Sequence, residues 1–515
     1  MKDYPLAKFQ GIAPRYAPNL KPGWAVEALN CDLTSGKIVP MNGPLLEQAD
    51  ANSYNSLYYH KSVWQLGNDR YFTSWKINDY DILFYLDAGT LKKTINGVTA
   101  NVGQTRLAKP TTALNGIGLL TGTFSYVLTT TRSVGGFEDE SGPSAVSTPL
   151  VATNNKILVT RPAITDTNVT YWNIYRLDNS SAEYQFVAQV AAATATYDDN
   201  TITADLDTAL TTWYTSEQNN QIMWDKPLTA LEGLIYEPYA GMLFAWIGST
   251  LYWSEPGYPD AWPGFYSMNF PSTIMNVIPF AGTLGVLTEK GPFRVDGSHP
   301  ELLQPSTTLS NEPCLSTSIG KSGNGILFIS DSGIALFNLF TVKVLTDQNF
   351  TEKWFLANVT LPTALVIEND GKVYLFHSTG TIRGDFRVNP PIWDELDIIA
   401  TAVHKRPDDG NLYYVDATGI QRLEGDAANP LTWTWRSGDF LADTPKEKEF
   451  VNVECIGSGT ITMNLYVDGA LTSTKALSFS MDRDRMLAFP EGTSGRAAQI
   501  ELTGTGSVNE VILRV

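Results

Sequence analysis

The stretch Gly325-Ile-Leu-Phe-Ile-Ser-Asp-Ser-Gly-Ile-Ala-Leu-Phe337 holds a short apolar strand, a turn of Ser, Asp and Gly, and a second apolar strand. Four more stretches after residue 245 repeat this arrangement, and they begin at residues 249, 282, 371 and 410. The five starts are 33, 43, 46 and 39 residues apart, close to the ~40–50 residues of one four-stranded propeller blade. An earlier copy between Asn55 and Leu86 adds about one more.

These repeats predict a β-propeller of about six blades. One small twisted sheet cannot bury both of its faces, whereas sheets packed radially cover one another and leave only short edges. The repeats carry no blade signature such as paired kelch glycines or a recurring Trp-Asp. An array of ordinary β-sandwiches with similar hairpins therefore stays open as the alternative.

The composition agrees with an all-β chain. The 515 residues include 13 Trp, 23 Tyr and 22 Phe together with 41 Gly and 28 Pro, a mixture that favours short strands joined by tight turns. Lys and Arg number 36 against 54 Asp and Glu, a net charge of −18. This charge excludes a conventional DNA-binding domain, because no general attraction to phosphate is available.

Cysteine and targeting signals are sparse. Cys31, Cys314 and Cys455 lie far apart, which predicts three buried free thiols rather than a disulfide framework or a zinc site. The first 30 residues contain four prolines and no continuous apolar core, so we expect no signal peptide. No run reaches the ~20 apolar residues of a membrane span. The sequence predicts a soluble product, without membrane insertion, that does not follow the general secretory route.

Residues 105–203 interrupt the repeats with a different texture and are predicted to form an inserted domain. The segment contains an alternating strand at 124–133, a Ser-Gly-Pro-Ser turn at 141–144, a Tyr-Trp-Asn-Ile-Tyr-Arg strand at 171–176 and a final Thr-Tyr-Asp-Asp at 196–199. These features resemble a fibronectin type III sandwich of about 100 residues. Insertion into a loop is tolerated because the two ends of a sandwich can lie close together.

The remaining boundaries follow from this interruption. Residues 1–104 are expected to hold an N-terminal segment and the first blade or blades, residues 204–432 the other blades, and residues 433–515 a C-terminal β-sandwich of short half-alternating strands. Long amphipathic helices are missing from the pattern. At most a turn or two of helix is expected near 226–234 and 351–358.

The sequence predicts no catalytic, cofactor-binding or metal-binding residues. It lacks a Walker loop, His-Glu-x-x-His, Gly-x-Ser-x-Gly, a calcium loop and Cys-x-x-Cys. A metal centre built from histidine would need distant parts of the chain, because the four histidines, His60, His299, His377 and His404, are widely separated.

Several weaker patterns are interpreted as structural. Gly320–Gly325 has glycines in the wrong order for a phosphate loop, Ser330–Gly333 departs from the aspartate box of sialidases, and Arg383-Gly-Asp385 lies beside a predicted strand. Isolated carboxylates do not define a glycosidase, since two in the right geometry are needed. Two sets of carboxylates are therefore expected to serve as solvated turn residues and for solubility: Asp331, Asp385, Asp408, Asp409 and Asp416, and the acidic residues 138–140, 198–199, 205 and 207.

One segment resembles a known family. Leu251-Tyr-Trp-Ser-Glu-Pro-Gly-Tyr-Pro-Asp-Ala-Trp-Pro263 is similar to a segment common in tail nozzle proteins of short-tailed bacteriophages, also called tail tubular protein B or packaged-DNA stabilisation proteins. Val286–Gly297 resembles the next blade of that family. The opening, Gly11–Arg15 and Ala28–Pro40, and the end, Ala498–Gly506, are similar to the family's start and end.

The resemblance implies a virion protein of the tail, made in the cytoplasm of the host bacterium. It would form a hexameric ring below the portal and tail adaptor, surround the channel for double-stranded DNA, and contact tail fibre or needle proteins. An acidic wall repels phosphate and avoids the sticking that basic contacts would cause. It implies no enzyme activity and no cofactor, and it leaves the gating residues and the role of 105–203 unassigned.

The alternative function is a glycan-binding or glycan-cleaving β-propeller tail protein. Aromatic residues are abundant in the predicted blades, and sugar rings stack on the faces of Trp and Tyr.

Overall fold

The computed structural model describes residues 2–16, 20, 22–68, 71–166, 168–206, 208–297, 299–306, 310–440 and 447–515. The chain divides into two units. Unit 1 comprises Met1–Asn68, Leu287–Pro292 and Thr308–Val515, and unit 2 comprises Asp69–Val286 and Phe293–Thr307. The regular structure in the described ranges is almost entirely β, which confirms the predicted fold class.

The strands are numbered in chain order. Those before residue 105 are β1 Asp3–Leu6, β2 Ala25–Leu29, β3 Cys31–Asp32, β4 Val39–Pro40, β5 Asn42–Ala49, β6 Ser56–His60, β7 Val63–Gly67, β8 Phe72–Ile77, β9 Tyr80–Asp87, β10 Thr90–Ile95 and β11 Val98–Asn101. Those up to residue 232 are β12 Thr111–Val134, β13 Phe137–Glu140, β14 Leu150–Thr160, β15 Val169–Asp178, β16 Gln185–Ala191, β17 Thr196–Asp199, β18 Trp213–Thr215 and β19 Gln221–Met223.

The next group covers residues 233–396. It comprises β20 Gly233–Glu237, β21 Met242–Ile247, β22 Thr250–Trp253, β23 Ser267–Asn269, β24 Ile274–Phe280, β25 Thr283–Thr288, β26 Gly291–Asp296, β27 Gln304–Pro305, β28 Gly320–Ser322, β29 Gly325–Ser330, β30 Gly333–Phe337, β31 Val342–Val344, the helix α1 Glu352–Asn358, β32 Leu365–Asn369, β33 Lys372–His377, β34 Gly380–Asp385 and β35 Ile392–Leu396.

The last group begins at residue 402. It comprises β36 Ala402–Lys405, β37 Leu412–Asp416, β38 Gly419–Pro430, β39 Trp433–Ser437, β40 Lys448–Glu449, β41 Asn452–Val467, β42 Ala470–Ala488, β43 Ser494–Gly495, β44 Ala498–Gly504 and β45 Ser507–Arg514. Short 3-10 turns lie at Pro14–Tyr16, Thr203–Asp205, Pro300–Leu302 and Leu361–Thr363.

Strand–turn–strand units occur where the repeats predict them. The quoted stretch 325–337 is the hairpin β29–β30, whose central turn is Asp331-Ser332. The repeats starting at 282, 371 and 410 hold the pairs β25–β26, β33–β34 and β37–β38. Strand β22 lies in the repeat that starts at 249. Short apolar runs on either side of a Gly, Asp or Ser turn thus located these strands correctly.

The structure contains six sets of four hydrogen-bonded strands. They are β8–β11, β20–β23, β24–β27, β28–β31, β32–β35, and β36–β37–β38 with β5. The last set is completed by a strand from the beginning of the chain, and register shifts interrupt the pairing of β38 with β5. Strand β35 continues into a larger sheet of unit 1 in the order β35–β2–β39–β44–β41–β45–β1.

The segment predicted as an insertion forms its own sheet within unit 2. Its order is β16–β15–β12–β14–β17, and β13 also pairs with β12. Its core is built by side chains such as Tyr126, Trp172 and Ile174, which are fully buried. The Trp172 indole Nε1 donates to the Thr194 carbonyl at 2.9 Å, so this large ring is both packed and hydrogen-bonded.

The helical expectations have two outcomes. Helix α1 begins after Thr351, whose hydroxyl accepts a hydrogen bond from the Trp354 N–H, an N-cap that stabilises the first turn. The range 226–234 stays within the upper limit of a turn or two, since it holds no helix and is loop followed by strand β20.

Candidate functional site

The segment that carries the family resemblance lies in unit 2 and is held by internal contacts. Trp253, at the end of β22, is buried, and the Ser254 hydroxyl accepts a hydrogen bond from the Leu243 N–H at 3.0 Å. The Trp262 ring is also buried and donates from Nε1 to the Pro259 carbonyl at 2.8 Å. These aromatic side chains therefore support the scaffold and offer little surface to a ligand.

Asp260, from the same segment, anchors a buried group of charges. Its carboxylate accepts from the Lys93 ammonium at 2.6 Å and from the Arg132 guanidinium at 3.2 Å. The Gly103 backbone N–H donates at 2.7 Å to Oδ1, the oxygen that Arg132 also contacts, while Lys93 contacts Oδ2. Asp139 shares both cations, at 2.5 Å from Lys93 Nζ and 3.0 Å from Arg132 Nε. We call Lys93, Arg132, Asp139 and Asp260 the ionic cluster.

The ionic cluster is electrically balanced, with two cations and two carboxylates. Burial opposes ionisation of Asp260, but the charges of Lys93 and Arg132 and the hydrogen bonds from Lys93 and Gly103 outweigh it, so the pKa of Asp260 is lowered. Burial and the neighbouring charge of Asp260 together raise the pKa of Asp139. Removal of any one charge would leave another buried without compensation.

The ionic cluster joins three separate parts of unit 2. Lys93 lies on β10, Arg132 and Asp139 lie on the hairpin β12–β13 of the inserted sheet, and Asp260 follows β22. In addition, Gln104 donates from Nε2 to the Asp139 carbonyl at 2.9 Å. The arrangement fixes the base of the inserted sheet to the strands on both sides of it in sequence.

The interpretation of the acidic residues of the insertion as solvation is wrong for Asp139, Glu140 and Asp199. Glu140 accepts from the Asn173 amide at 3.0 Å and the Tyr175 hydroxyl at 2.9 Å. Asp199 is fully buried. It pairs with a guanidinium and a phenol from other strands of the insertion, Arg176 at 2.6 Å and Tyr126 at 2.8 Å. Asp205 is exposed as expected, and Asp207 lies outside the described residues.

A groove of about 480 Å³ lies beside the base of the inserted sheet. Its apolar lining includes Leu107, Trp213 and Met223, and its charged lining includes Arg106, Asp225 and Lys226. Arg106 pairs with Asp225 at 3.4 Å, and the Lys226 ammonium donates to the Thr105 hydroxyl at 3.2 Å. One carboxylate lines this groove, whereas glycoside hydrolysis normally needs two.

Two further carboxylates lie along strand β18. The Tyr214 hydroxyl donates to Glu255 at 2.6 Å, and the Ser216 hydroxyl donates to Glu301 at 2.9 Å. The Glu301 side chain is only 1% exposed, so no substrate reaches it in this structure.

The carboxylates singled out from the sequence do not come together as a site. Asp331 and Asp416 lie in hairpin turns; Asp416 accepts from the Thr418 N–H at 2.7 Å. Asp409 accepts from the Tyr413 hydroxyl at 2.8 Å, and hydrogen bonds from Arg406 and Asn411 help to lower its pKa against the effect of burial. Asp408 is exposed.

Asp385 differs from the expectation of a solvated turn residue. It is 1% exposed on strand β34 and pairs with Arg387 at 2.6 Å. Arg383, two residues earlier, is buried as well and forms a two-point ion pair with Asp394, at 2.8 and 2.6 Å. The Arg383-Gly-Asp385 tripeptide is thus part of a buried strand. Sequence reasoning considered Arg383 only as part of this tripeptide and missed Asp394, because the two partners lie 11 residues apart on different strands.

The histidines are dispersed. Burial lowers the pKa of His404 to about 4, and its ring packs against Tyr58 with 5.1 Å between centroids. Burial also lowers the pKa of His377. Among the described residues, no group of three or more His, Cys, Asp or Glu side chains could hold a metal ion. Cys31, Cys314 and Cys455 are buried free thiols, as predicted.

None of the helices in the described ranges combines the length and apolar character that a membrane crossing requires.

Comparisons with known proteins give no family. No protein-family model matches the chain, and no curated protein matches it. Solved structures with some likeness include Sqt1 from Saccharomyces cerevisiae, at 7% identity and a TM-score of 0.30, covering 75% of this chain and 98% of that chain. An ancestral GH74 enzyme has 9% identity and a TM-score of 0.31, covering 74% of this chain and 52% of that chain.

PorZ of Porphyromonas gingivalis, a bacterial surface component of the type-IX secretion system, has 10% identity and a TM-score of 0.30, covering 86% of this chain and 60% of that chain. With these identities and TM-scores, the likenesses do not identify the function of this chain.

Proposed function

We propose that the chain is a structural, non-catalytic protein of a bacteriophage tail that forms a hexameric nozzle ring around the DNA channel, retains packaged DNA and guides its ejection. The observation that carries the proposal is the burial and internal bonding of segment 251–263. This segment bears the family resemblance, and its Trp253, Asp260 and Trp262 are committed to packing and to the ionic cluster. A segment whose side chains are used in this way stabilises the fold and does not bind a ligand.

The six four-stranded sets support a propeller of about six blades as the body of the proposed nozzle protein. The inserted sheet with its buried Trp172 supports a fibronectin type III-like insertion. The C-terminal β-sandwich of the proposal would be built on β39, β41, β44 and β45, which share one sheet. In this proposal the ionic cluster fixes the insertion to the strands of unit 2 that precede and follow it in sequence.

The charge of the chain fits the same role. A net charge of −18 per copy gives a ring of six copies a strongly acidic character, which repels phosphate. An acidic wall suits DNA that must leave rapidly. A basic wall would slow the DNA, because each basic contact to phosphate adds affinity.

Ring formation is the direct test. Mass photometry and negative-stain images of the purified full chain, alone and with the tail adaptor of its phage, are expected to show hexameric rings with a central hole wide enough for duplex DNA. A chain that stays monomeric in both samples would contradict the proposed function.

Glycan binding is the second candidate function, and the groove is the observation that favours it. Trp213 offers an aromatic face for a sugar ring, and Lys226 and Arg106 offer donors to its substituents. The single carboxylate of the groove favours binding over cleavage. On an array of bacterial surface glycans, Trp213→Ala is expected to reduce any signal at least about tenfold, and Trp64→Ala, in unit 1, is expected to leave it unchanged. The absence of a signal from the parent chain rejects this candidate.

A further inference from the structure

Two uncharged stretches of sequence distinguish the inserted sheet from the rest of this acidic chain. Residues 110–131 contain no Asp, Glu, Lys or Arg, and neither do residues 141–155. These two stretches provide most of β12 and the first half of β14, and the two strands pair with each other. Charge depletion is typical of the centre of protein–protein interfaces rather than of a solvated surface.

The pairing of these strands is broken by a large bulge. Leu114 lies opposite Ile157 and Leu120 lies opposite Asn155, so β12 gains residues that β14 does not match. Gly116, within the bulge, has a φ of +77°, a conformation in which a residue with a Cβ is strained.

The bulge is held in place by side chains of its neighbours. The Asn115 amide donates to Asp198 at 2.6 Å, and the Leu119 N–H donates to the Asn200 side chain at 2.7 Å. The Asn155 amide donates to the Gly116 carbonyl at 3.1 Å. These three hydrogen bonds fix both sides of Ile117, so the bulge presents its side chains in a defined geometry.

Three apolar side chains project from this bulge. Ile117 is 89% exposed, Leu119 is 62% exposed and Leu114 is 47% exposed. We call these three residues the crest. A fixed apolar crest exposes surface at a cost of roughly 25 cal/mol per Å² and loses little conformational entropy when a partner covers it. Scattered single apolar residues need no explanation, but a contiguous fixed group indicates a contact.

We propose that the crest is a contact through which one copy of this chain binds the next copy in a ring; this inference rests on the proposed function. Charge is the reason for a second copy as the occupant. Two copies that each carry −18 repel wherever acidic faces meet. The crest side chains are apolar. Among the described residues, the bulge contacts one carboxylate, Asp198, and one lysine side chain, Lys156, so two copies can approach there with little of this penalty. In a closed ring the crest meets a different surface of the neighbouring copy, a heterologous contact.

The test uses the full chain with Ile117→Asp and Leu119→Asp together. Two buried carboxylates at the contact are expected to weaken association at least about tenfold in mass photometry. The matched control is Leu471→Asp, an exposed leucine of strand β42 in unit 1, which is expected to leave association unchanged. Circular dichroism and thermal melting of each variant show whether the inserted sheet has stayed folded.

A second measurement does not depend on disruption. In Ile117→Cys, maleimide labelling is expected to be fast in the monomer and at least about tenfold slower in the ring, whereas Leu471→Cys is expected to react equally in both. The crest contact is overturned if rings persist in the double variant Ile117→Asp with Leu119→Asp and if Ile117→Cys is fully labelled within the ring. The proposed function stays intact in that case.

Protection of the cysteine at 117 only after another tail protein is added assigns the crest to that protein and overturns self-contact. A parent chain that is monomeric under all conditions overturns both the proposed function and the crest contact.

Discussion

Replacement of Asp260 by alanine is expected to reduce the local stability of unit 2 by about 3–5 kcal/mol, the usual effect of breaking a buried ion pair by removing one partner. In the variant, Lys93 keeps only Asp139 as a carboxylate partner, and the Gly103 N–H loses its acceptor. Lys93 is 0% exposed, so water cannot replace the lost carboxylate. Hydrogen exchange of peptides from β10, β12 and β13 measures this change locally.

The control is Asp296→Ala, also in unit 2. Asp296 pairs with Arg294 at 2.6 Å, but its side chain is 44% exposed. Exposed ion pairs contribute about 0–1 kcal/mol, so the exchange rates of the same peptides are expected to change little. Equal effects of the two substitutions would show that the ionic cluster does not hold the inserted sheet.

The hairpins could be predicted from sequence because their signal is local. In stretch 325–337 the apolar residues and the Gly-bounded turn lie within one short segment, and the structure places β29 and β30 there. Strand β5 gave no such signal. Its sequence, Asn42–Ala49, contains Gly and Pro and is mostly exposed, and its partner β38 lies more than 350 residues away in the chain.

The ionic cluster could not be predicted for the same reason of distance. Lys93 and Asp260 are 167 residues apart in sequence, and Lys93 and Asp139 are 46 apart. One local sign was present, since Leu91, Lys93 and Ile95 alternate on the buried face of β10. A lysine at a position where the alternation predicts a buried apolar residue indicates a buried partner. The sequence does not show which carboxylate is that partner.

Arg383→Met is expected to have a similarly large effect in unit 1, about 3–5 kcal/mol near neutral pH. Arg383 holds both oxygens of Asp394 and also donates to the Cys31 carbonyl at 2.9 Å. Both side chains are 1% exposed, so the variant leaves a buried carboxylate with no guanidinium. Exchange of peptides from β34 and β35 in the full chain is the measurement.

This effect is expected to depend on pH. Burial raises the pKa of Asp394 to about 6 even though Arg383 opposes the rise. The folded chain therefore binds this proton more tightly than the unfolded chain, whose value is about 3.9, and the contribution of Asp394 to stability falls as pH rises through about 4 to 6. Without Arg383 the pKa rises further, so the difference between variant and parent develops above the parent value of about 6 and is expected to shrink as pH is lowered toward 6.

Arg436→Met provides the control in the same unit. Arg436 donates to the neutral Gln499 side chain at 2.7 Å and lies over the Tyr466 ring. Its charge also lowers the raised pKa of Glu27, but this carboxyl is only half-buried. We therefore expect a cost of about 1 kcal/mol and a smaller pH dependence than for Arg383→Met. If Arg383→Met behaved in the same way, Asp394 would not depend on its guanidinium.

The double variant Arg383→Met with Asp394→Leu distinguishes the cost of losing the contacts of Arg383 from the cost of leaving the Asp394 carboxylate buried and unpaired. If the cost of Arg383→Met comes mainly from an unpaired carboxylate, removal of that carboxylate recovers most of the stability, because two apolar side chains of similar volume replace a buried pair at little net cost. The pH dependence is then also lost, since no group with a raised pKa remains at this position. A double variant as unstable as Arg383→Met alone would instead assign the cost to packing and to the Cys31 carbonyl left without its donor.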